Sequence, residues 1–577
     1  MHKYFKNMDP LGKGLREKFK KRTTDNLHAI QQEEQAIREA REAVKEFGLP
    51  AEKINARGQL TIWQRLDLLV DEGAWRPLHM LYNPAGNEEC TTNVVDGLAR
   101  INGRWAVVIG FDNKYLAGAW VPGQPENILR VTDMAARLHV PLIWIVNCSG
   151  VKLPEQEKFY AGRRCSGTTF FRHAELEQMG IPILAGVYGT NPAGGGYQGA
   201  SPMVLFAHKN CNIAVGGAGI VSGMSPKGSF DAEAARELVE AARQSQSQPP
   251  GTVDIHYDET GFFSYVFEKE EDVLDAMRGY MLKLPAYDPE VFRVDEPSPP
   301  ARPAEDLYHL LPLNPRRTYI FEDILARLVD GSEHMEFRPD YGPEVYTGLV
   351  KIDGFLFGCI GNRQGILPKG YPEYGDYPGI GGKLYRQGLI KMSEFVTLCG
   401  RDRLPVIWLQ DTSGVDVGNQ AEKAELLGLG QSLVYSIQHT DVPMMLVTLR
   451  KGSAAAHYLL GGPAANRHNA FTLGTAATEI YVMHGETAAA AAYTRRLIKD
   501  QDAGRPLEPT VEKMNALLEQ YQAASRPLYC AKSGMVDEIV DLSELRSYLQ
   551  AFAAAAYQNP ASVCPQHHLI LPRIIKG

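Results

Sequence analysis

The 577-residue chain has no run of 18 apolar residues, no Cys-x-x-Cys pair and no G-x-x-x-x-G-K-[ST] phosphate loop. Each absence closes a class. A membrane-spanning helix needs about 20 apolar residues, and residues 1–30 lack the apolar centre of a secretory signal, so a cytoplasmic protein is expected. The net charge of −8 gives no encouragement to nucleic-acid binding, which usually shows a basic face or a high pI. Eight cysteines are scattered from Cys90 to Cys564, and Cys148, Cys359 and Cys399 lie in apolar strand patterns, so buried reduced thiols are expected. Cys564, His567 and His568 are the nearest approach to a metal cluster; one isolated group predicts no metal. Gly216-Gly217-Ala218-Gly219 does not continue as a dinucleotide-binding G-x-G-x-x-G.

What is present is a duplication. Residues 140–151, VPLIWIVNCSGV, match residues 404–415, LPVIWLQDTSGV. Residues 180–197, GIPILAGVYGTNPAGGGY, align without gaps on residues 441–458, DVPMMLVTLRKGSAAAHY. Ile101-Asn102-Gly103 matches Ile352-Asp353-Gly354, and Leu69-Val70-Asp71 matches Leu328-Val329-Asp330. A repeat of about 260 residues is too long for a solenoid unit and reads as two homologous domains.

Residues 25–47 have apolar positions on a helical period and stop at Gly48-Leu49-Pro50, which predicts a helix inside an N-terminal arm of residues 1–50. The basic cluster from Lys13 to Arg22 reads as solvated charge. A first domain over 51–284 and a second over 306–557 are separated by a linker, 285–305, where six prolines fall between 285 and 303; residues 558–577 form a tail. Short Val/Ile-rich strands alternate with helical segments such as 125–138 and 387–399. That alternation predicts α/β domains with strands covered on both faces.

In each half, one strand ends in Ser-Gly-Val and another runs into a turn of tiny residues: Ala193-Gly194-Gly195-Gly196 in the first, Ser453-Ala454-Ala455-Ala456 in the second. Two such turns can aim two backbone N–H groups at one oxygen, helped by the start of a helix, and so form an oxyanion hole. Small residues without glycine in the second half point to access to the backbone rather than φ freedom.

The order of these motifs resembles the ClpP/crotonase superfold. Its duplication, with Gly58-Gln59-Leu60-Thr61 before Arg65-Leu66-Asp67-Leu68-Leu69, resembles the carboxyltransferase subunits of biotin-dependent enzymes, most nearly those of the sodium-pumping decarboxylases of glutaconyl-CoA. The resemblance implies two tandem crotonase domains, the first binding an acyl-CoA ester and the second biotin, with a site shared across a dimer. Carried over by position, Val151 and Gly194, with Gly195 as neighbour, form the acyl-CoA hole. Val415 with Ala455 and Ala456 forms the biotin hole. The implied reaction moves CO₂ from glutaconyl-CoA to biotin and leaves crotonyl-CoA. An Ala-Met-Lys-Met biotinylation motif is absent, Lys391-Met392 being embedded in Ile-Lys-Met-Ser. The resemblance therefore implies a biotin carrier subunit, an integral-membrane sodium-pump subunit, and attachment to the inner face of the membrane through them.

Other residues carry weaker expectations. Lys152, Arg163 and Arg164 are candidates for CoA phosphates, with surface ion pairing as the competing reading. Glu155 and Glu157 read as a solvated face, and Tyr197 and Tyr458 as either core or ligand lining. Three other functions stay open: a carboxylase of propionyl- or methylcrotonyl-CoA, a biotin-independent enoyl-CoA hydratase or isomerase, and a non-catalytic scaffold of a membrane complex.

Overall fold

The computed structural model describes residues 8–87, 91–200, 202, 204–217, 231–247, 249–284, 288–367, 379–559 and 562. Cys90, Ala218, Gly219, Cys564, His567, His568 and most of the tail lie outside the described residues. Two compact units result: residues 40–286, and residues 287–577 together with 1–39.

The unit of residues 40–286 holds a seven-stranded sheet. Its strands are β1 (Trp75–Leu78), β2 (Val94–Ile101), β3 (Arg104–Phe111), β4 (Leu142–Val146), β5 (Ile183–Val187), β6 (Val204–His208) and β7 (Tyr265–Phe267), lying side by side in chain order. The first three are antiparallel neighbours and the rest parallel. The β2–β3 hairpin turns on Asn102 (φ 51°) and Gly103 (φ 81°), the two left-handed residues that a tight hairpin of this twist requires. Asp71 locks that turn by accepting from both amides at 2.8 Å, and Arg278 donates to the same carboxylate at 3.0 Å. Burial works against the Asp71 charge, yet the amides of Gly103 and Asn102 and the guanidinium hold its pKa below the usual carboxylate value.

Helices α2 (Ile62–Leu69) and α6 (Glu270–Met281) cover one sheet face, where Ile62, Leu66, Ile143, Leu184 and Met277 share a core. Because side chains alternate along a strand, Trp144 points to the opposite face and donates to His173 of α4 (Ser166–Gln178) at 2.9 Å. Helix α3 (Gln124–Leu138) bridges β3 and β4. A capping box between Thr61 and Gln64 starts α2, and its buried Arg65 pairs with Glu270 of α6 at 2.8 Å.

The second unit repeats the plan. Strands β8 (Glu333–Glu336), β9 (Val345–Ile352), β10 (Phe355–Asn362), β11 (Val406–Thr412), β12 (Met444–Ser453), β13 (Asn469–Gly474) and β14 (Glu538–Ile539) follow in the same order, antiparallel over the first three and parallel after. The β9–β10 turn has Asp353 at φ 53° and Gly354 at φ 76°. Its amides donate to Asp330, and Arg546 of helix α12 (Leu545–Gln558) donates to the same carboxylate. Helices α7 (Arg386–Asp402) and α8 (Leu426–His439) cover one face through Leu389, Met392, Phe395, Leu433 and Ile437. On the other, Phe552 and Tyr557 of α12 meet Phe357 and Phe471. Two helices, α10 (Gly485–Asp502) and α11 (Glu508–Ser525), follow the small turn helix α9 (Ala454–Leu459), and the first unit has helix Ala232–Ser247 after its own turn helix.

Residues 8–39 are packed on the second unit rather than forming a free arm. Strand residues Asp9–Pro10 pair with β8, Lys20 makes an ion pair with Asp306, and buried Glu34 of α1 (Thr24–Glu46) accepts from Tyr308 and from the Leu542 amide. The proline-rich stretch is docked as well: Val294 donates to Gly354, and Arg302 to Ser332 Oγ. Pro289 opens a short 3₁₀ helix, Pro289–Phe292, and Pro303 stands in an extended conformation before another, Ala304–Asp306.

Candidate active site

Each unit brings its two small-residue turns together at the carboxyl ends of parallel strands. In the first, the chain leaves β4 through Asn147 and Cys148 and turns at Gly150, φ 112°, a conformation that only glycine adopts without strain. Trp120 N–H donates to Gly150 and Lys152 N–H to Trp120, so Val151 sits opposite Trp120 with its own N–H directed away. The second turn starts at Ala193, φ 49°, and opens helix α5 (Gly194–Ala200). The amides of Val151, Gly194 and Gly195 have no hydrogen-bond partner among the described residues.

Two contacts hold these turns in register. Gly195 presses on Cys148: a Cβ there would lie 2.6 Å from the Cys148 carbonyl oxygen. Asn191 spans the gap, its Oδ1 accepting from the Cys148 amide at 2.7 Å while its Nδ2 donates to Tyr188, Gly189 and Asn212. A Cβ on Gly194, by contrast, would meet nothing within 4 Å. A cavity of about 470 Å³ adjoins the turn, lined by Ala193, Gly196 and Tyr197 and by Pro250, Ile255 and Phe262. Tyr197 is 48% exposed and stacks on Phe170 at 4.7 Å, so it lines the opening rather than filling the core.

The second unit repeats the backbone with other side chains. Gly414 has φ 131°, Val415 lies opposite Leu384, and Asp416 N–H donates to Leu384, so the Val415 N–H is directed away as in the first unit. Ala454, φ 50°, stands where Ala193 does, and α9 begins there. The left-handed residue of both turns is thus an alanine, while Gly194, Gly195 and Gly196 carry no positive φ. Ala455 is exposed and Ala456 buried. The bracket differs: where the first unit has Asn191 and Gly196, the second has Gly452 and His457. His457 Nδ1 and Gln410 Oε1 are 2.7 Å apart and Gln410 Nε2 donates to the His457 carbonyl, filling the space beside Gly452. Burial lowers the His457 pKa to about 4, so the ring is neutral and donates to Gln410.

Among the sequence candidates, Lys152 pairs with Glu155 at 2.7 Å, and Arg164 pairs with Glu126 at 2.7 Å. Lys158 also pairs with Glu155, which agrees with a solvated face there and puts no carboxylate beside the glycine turn. Arg163 is exposed and makes no ion pair among the described residues. Cys148, Cys359 and Cys399 are buried thiols; burial pushes the Cys148 pKa up to about 12 and raises the other two as well, which leaves all three unsuited to act as nucleophiles. Asn191, Gln410 and His457 escaped the sequence reading because their role depends on which turn folds against which strand. Their one sequence signal is the reciprocal exchange of Asn/Gly for Gly/His at matching positions.

A carboxyl transferase domain matches residues 53–570. The chain belongs to the carboxyl transferase family. It is 56% identical over its full length to the α subunit of glutaconyl-CoA decarboxylase from Acidaminococcus fermentans, of which it covers 98%. It is 26% identical, over 85% of this chain and 87% of the other, to the β1 subunit of a biotin-dependent 3-methylcrotonyl-coenzyme A carboxylase from Mycobacterium tuberculosis. The β subunit of geranyl-CoA carboxylase from P. aeruginosa has the same fold, with a TM-score of 0.75 and 22% identity over 93% of this carboxyltransferase and 95% of that chain. The two units are therefore tandem crotonase-type α/β domains, and the paired turns are the candidate site of a carboxyltransferase.

Proposed function

We propose that this carboxyltransferase takes CO₂ from glutaconyl-CoA and passes it to biotin carried on a partner chain, releasing crotonyl-CoA. The 56% identity over the full chain to a glutaconyl-CoA decarboxylase α subunit carries the choice of substrate. The two amide turns supply the chemistry.

In the first turn, the N–H groups of Val151 and Gly194 meet the thioester oxygen, with Gly195 packed beneath them. Breaking the bond between the γ-carbon and the carboxylate sends its electron pair through the conjugated chain to that oxygen; the γ-carbon then takes a proton. Two fixed donors stabilise this dienolate, and removing one such donor typically costs roughly 10²–10³ in rate. In the second turn, Val415, Ala455 and Ala456 present amides that fit the ureido oxygen of biotin. When bound, biotin supplies the ureido nitrogen that accepts CO₂. Lys152, Arg163 and Arg164 are proposed for the CoA phosphates, Arg163 without a competing ion pair and the other two by exchanging a surface one.

No helix among the described residues is long and apolar enough to cross a membrane, so any sodium path belongs to a partner subunit in this reading. The active form is a homodimer or larger, burying roughly 2,000 Å² or more. Sedimentation of a fully active 63.8 kDa monomer would exclude the shared site. The deciding assay supplies the isolated chain with free biotin. Slow formation of crotonyl-CoA from glutaconyl-CoA is expected, whereas turnover of propionyl-CoA alone would replace this reading with a carboxylase, and no turnover of any CoA ester with a scaffold.

A further inference from the structure

The two Ser-Gly-Val turns contain the same serine in different states. Ser149 Oγ donates to the Leu116 carbonyl at 2.5 Å, so its proton is used within its own unit. Ser413 instead accepts from Lys451 Nζ at 2.9 Å, and its own proton has no acceptor among the described residues. Lys451 lies on β12 at the position matching Thr190, so the first turn has no cation there.

Lys451 is only 7% exposed, and its ammonium is incompletely balanced. The carboxylate nearest to it, Asp411, stands 4.0 Å away. That carboxylate is already engaged by Arg450 Nε at 2.8 Å and by the Lys451 backbone N–H at 3.2 Å. Glu479, its register partner on strand Glu479–Tyr481, makes no ion pair with it among the described residues. Arg450 and His484 add charge or potential charge of the same sign. Burial pulls the Lys451 pKa below that of an ordinary lysine; Asp411 and, less strongly, Glu479 oppose this, and Arg450 reinforces it. A buried ammonium whose closest partner is a neutral hydroxyl is costly to the fold unless it serves an anion.

We propose that the Ser413 hydroxyl is a third hydrogen-bond donor of the second turn, oriented by Lys451, and that the pair stabilises negative charge developing on the ligand oxygen received there. Ser413 is then a catalytic residue and Lys451 a positioning one. With one lone pair held by Nζ, the hydroxyl keeps its proton free to donate, and it stands two residues before the Val415 amide. The inference rests on the reading of the second turn as the biotin side. Because the ureido oxygen is neutral when it binds and gains charge only as the transfer proceeds, the pair acts on kcat rather than on affinity.

The test uses the full chain as Ser413→Ala, Lys451→Met, Lys451→Arg and the Ser413→Ala/Lys451→Met double variant, each checked for an unchanged melting curve. Turnover of glutaconyl-CoA is measured with free biotin, and binding of biotin methyl ester is measured by calorimetry without any CoA ester. Expected are a loss of kcat of at least ~tenfold in both single neutral variants, a dissociation constant for the methyl ester within about threefold of the parent, and recovery of most turnover in Lys451→Arg. The double variant should be no worse than the poorer single one, since one residue acts through the other. Parent-like turnover in either single variant, additive losses in the double, or a loss confined to methyl-ester affinity would overturn the inference. Failure of the unmodified chain to turn over glutaconyl-CoA would instead overturn the assigned reaction, and the calorimetry reports on the second turn in either case.

Discussion

The two turns share a backbone and differ in how that backbone is braced. In the first, Gly195 must lack a side chain because Cys148 occupies the space, and Asn191 ties the turn to the strand end. In the second, the equivalent Ala456 buries its methyl in the core, and the tie comes from Gln410 and His457 across Gly452. What the duplication has kept is the direction of the N–H groups, together with the left-handed alanine and the glycine of Ser-Gly-Val that set it. The brace was free to change because any donor and acceptor set that fixes the same amides serves equally.

The strongest break of this comparison is Gly195→Val. A branched Cβ beside the Cys148 carbonyl would prise the turns apart, so CoA-ester turnover should fall by on the order of 10³; Ala456→Gly, which only removes a methyl, should cost less than about threefold. Steady-state rates of the two purified variants decide, and similar losses would mean that the turns do not differ in this way.

Acid sharpens a second point. His173 and His457 are both buried and have pKa values lowered to about 4, so each favours its neutral form in the folded chain. Unfolded histidine titrates near 6.5, so the stability each contributes is present above that pH and is lost as pH falls from about 6.5 toward 4, up to about 3 kcal/mol apiece. Melting temperatures should fall with acid across that range, and His457→Gln should remove part of the dependence while leaving the share from His173.

The Asp71 and Asp330 anchors offer a test of sameness. Asp71→Ala and Asp330→Ala each strip two hairpin amides and an arginine of their acceptor, which should cost about 2 kcal/mol in each case. Denaturant titration showing a loss in one domain alone would mean that the matching hydrogen bonds are not equally used. Because the Asp71 pKa is depressed, its contribution persists at neutral pH and fades only as pH falls below the ordinary carboxylate range.

Gly194→Val and Ala455→Val are the mildest and most diagnostic pair. Open space beside Gly194 lets the chain fold around the new side chain, which then stands in the approach to the amides. The first should weaken glutaconyl-CoA use by about tenfold and spare biotin; the second should do the reverse. Saturation curves in each ligand report this, and a shared defect would dissolve the division of ligands between the turns.

The duplication, the alternation of strand and helix, and the two small-residue turns were legible because they follow from local pattern. A short continuous run rich in Val and Ile reads as a strand covered on both faces wherever it lies, and Ser-Gly-Val or Ala-Gly-Gly needs no partner to be noticed. Asn102-Gly103 and Asp353-Gly354 belong to the same class, since their φ values come from turn chemistry alone. The docking of residues 8–39 and of the proline-rich stretch onto the second unit was not legible, because it rests on pairs distant in sequence, Lys20 with Asp306, Glu34 with Tyr308 and Val294 with Gly354. Nor could sequence show that Ser149 spends its proton on Leu116 while Ser413 receives one from Lys451. Hydrogen-bond direction depends on which groups the fold brings within about 3 Å, and burial perturbs His457 while burial together with neighbouring charges perturbs Lys451; both are properties of the packed chain rather than of any segment of it.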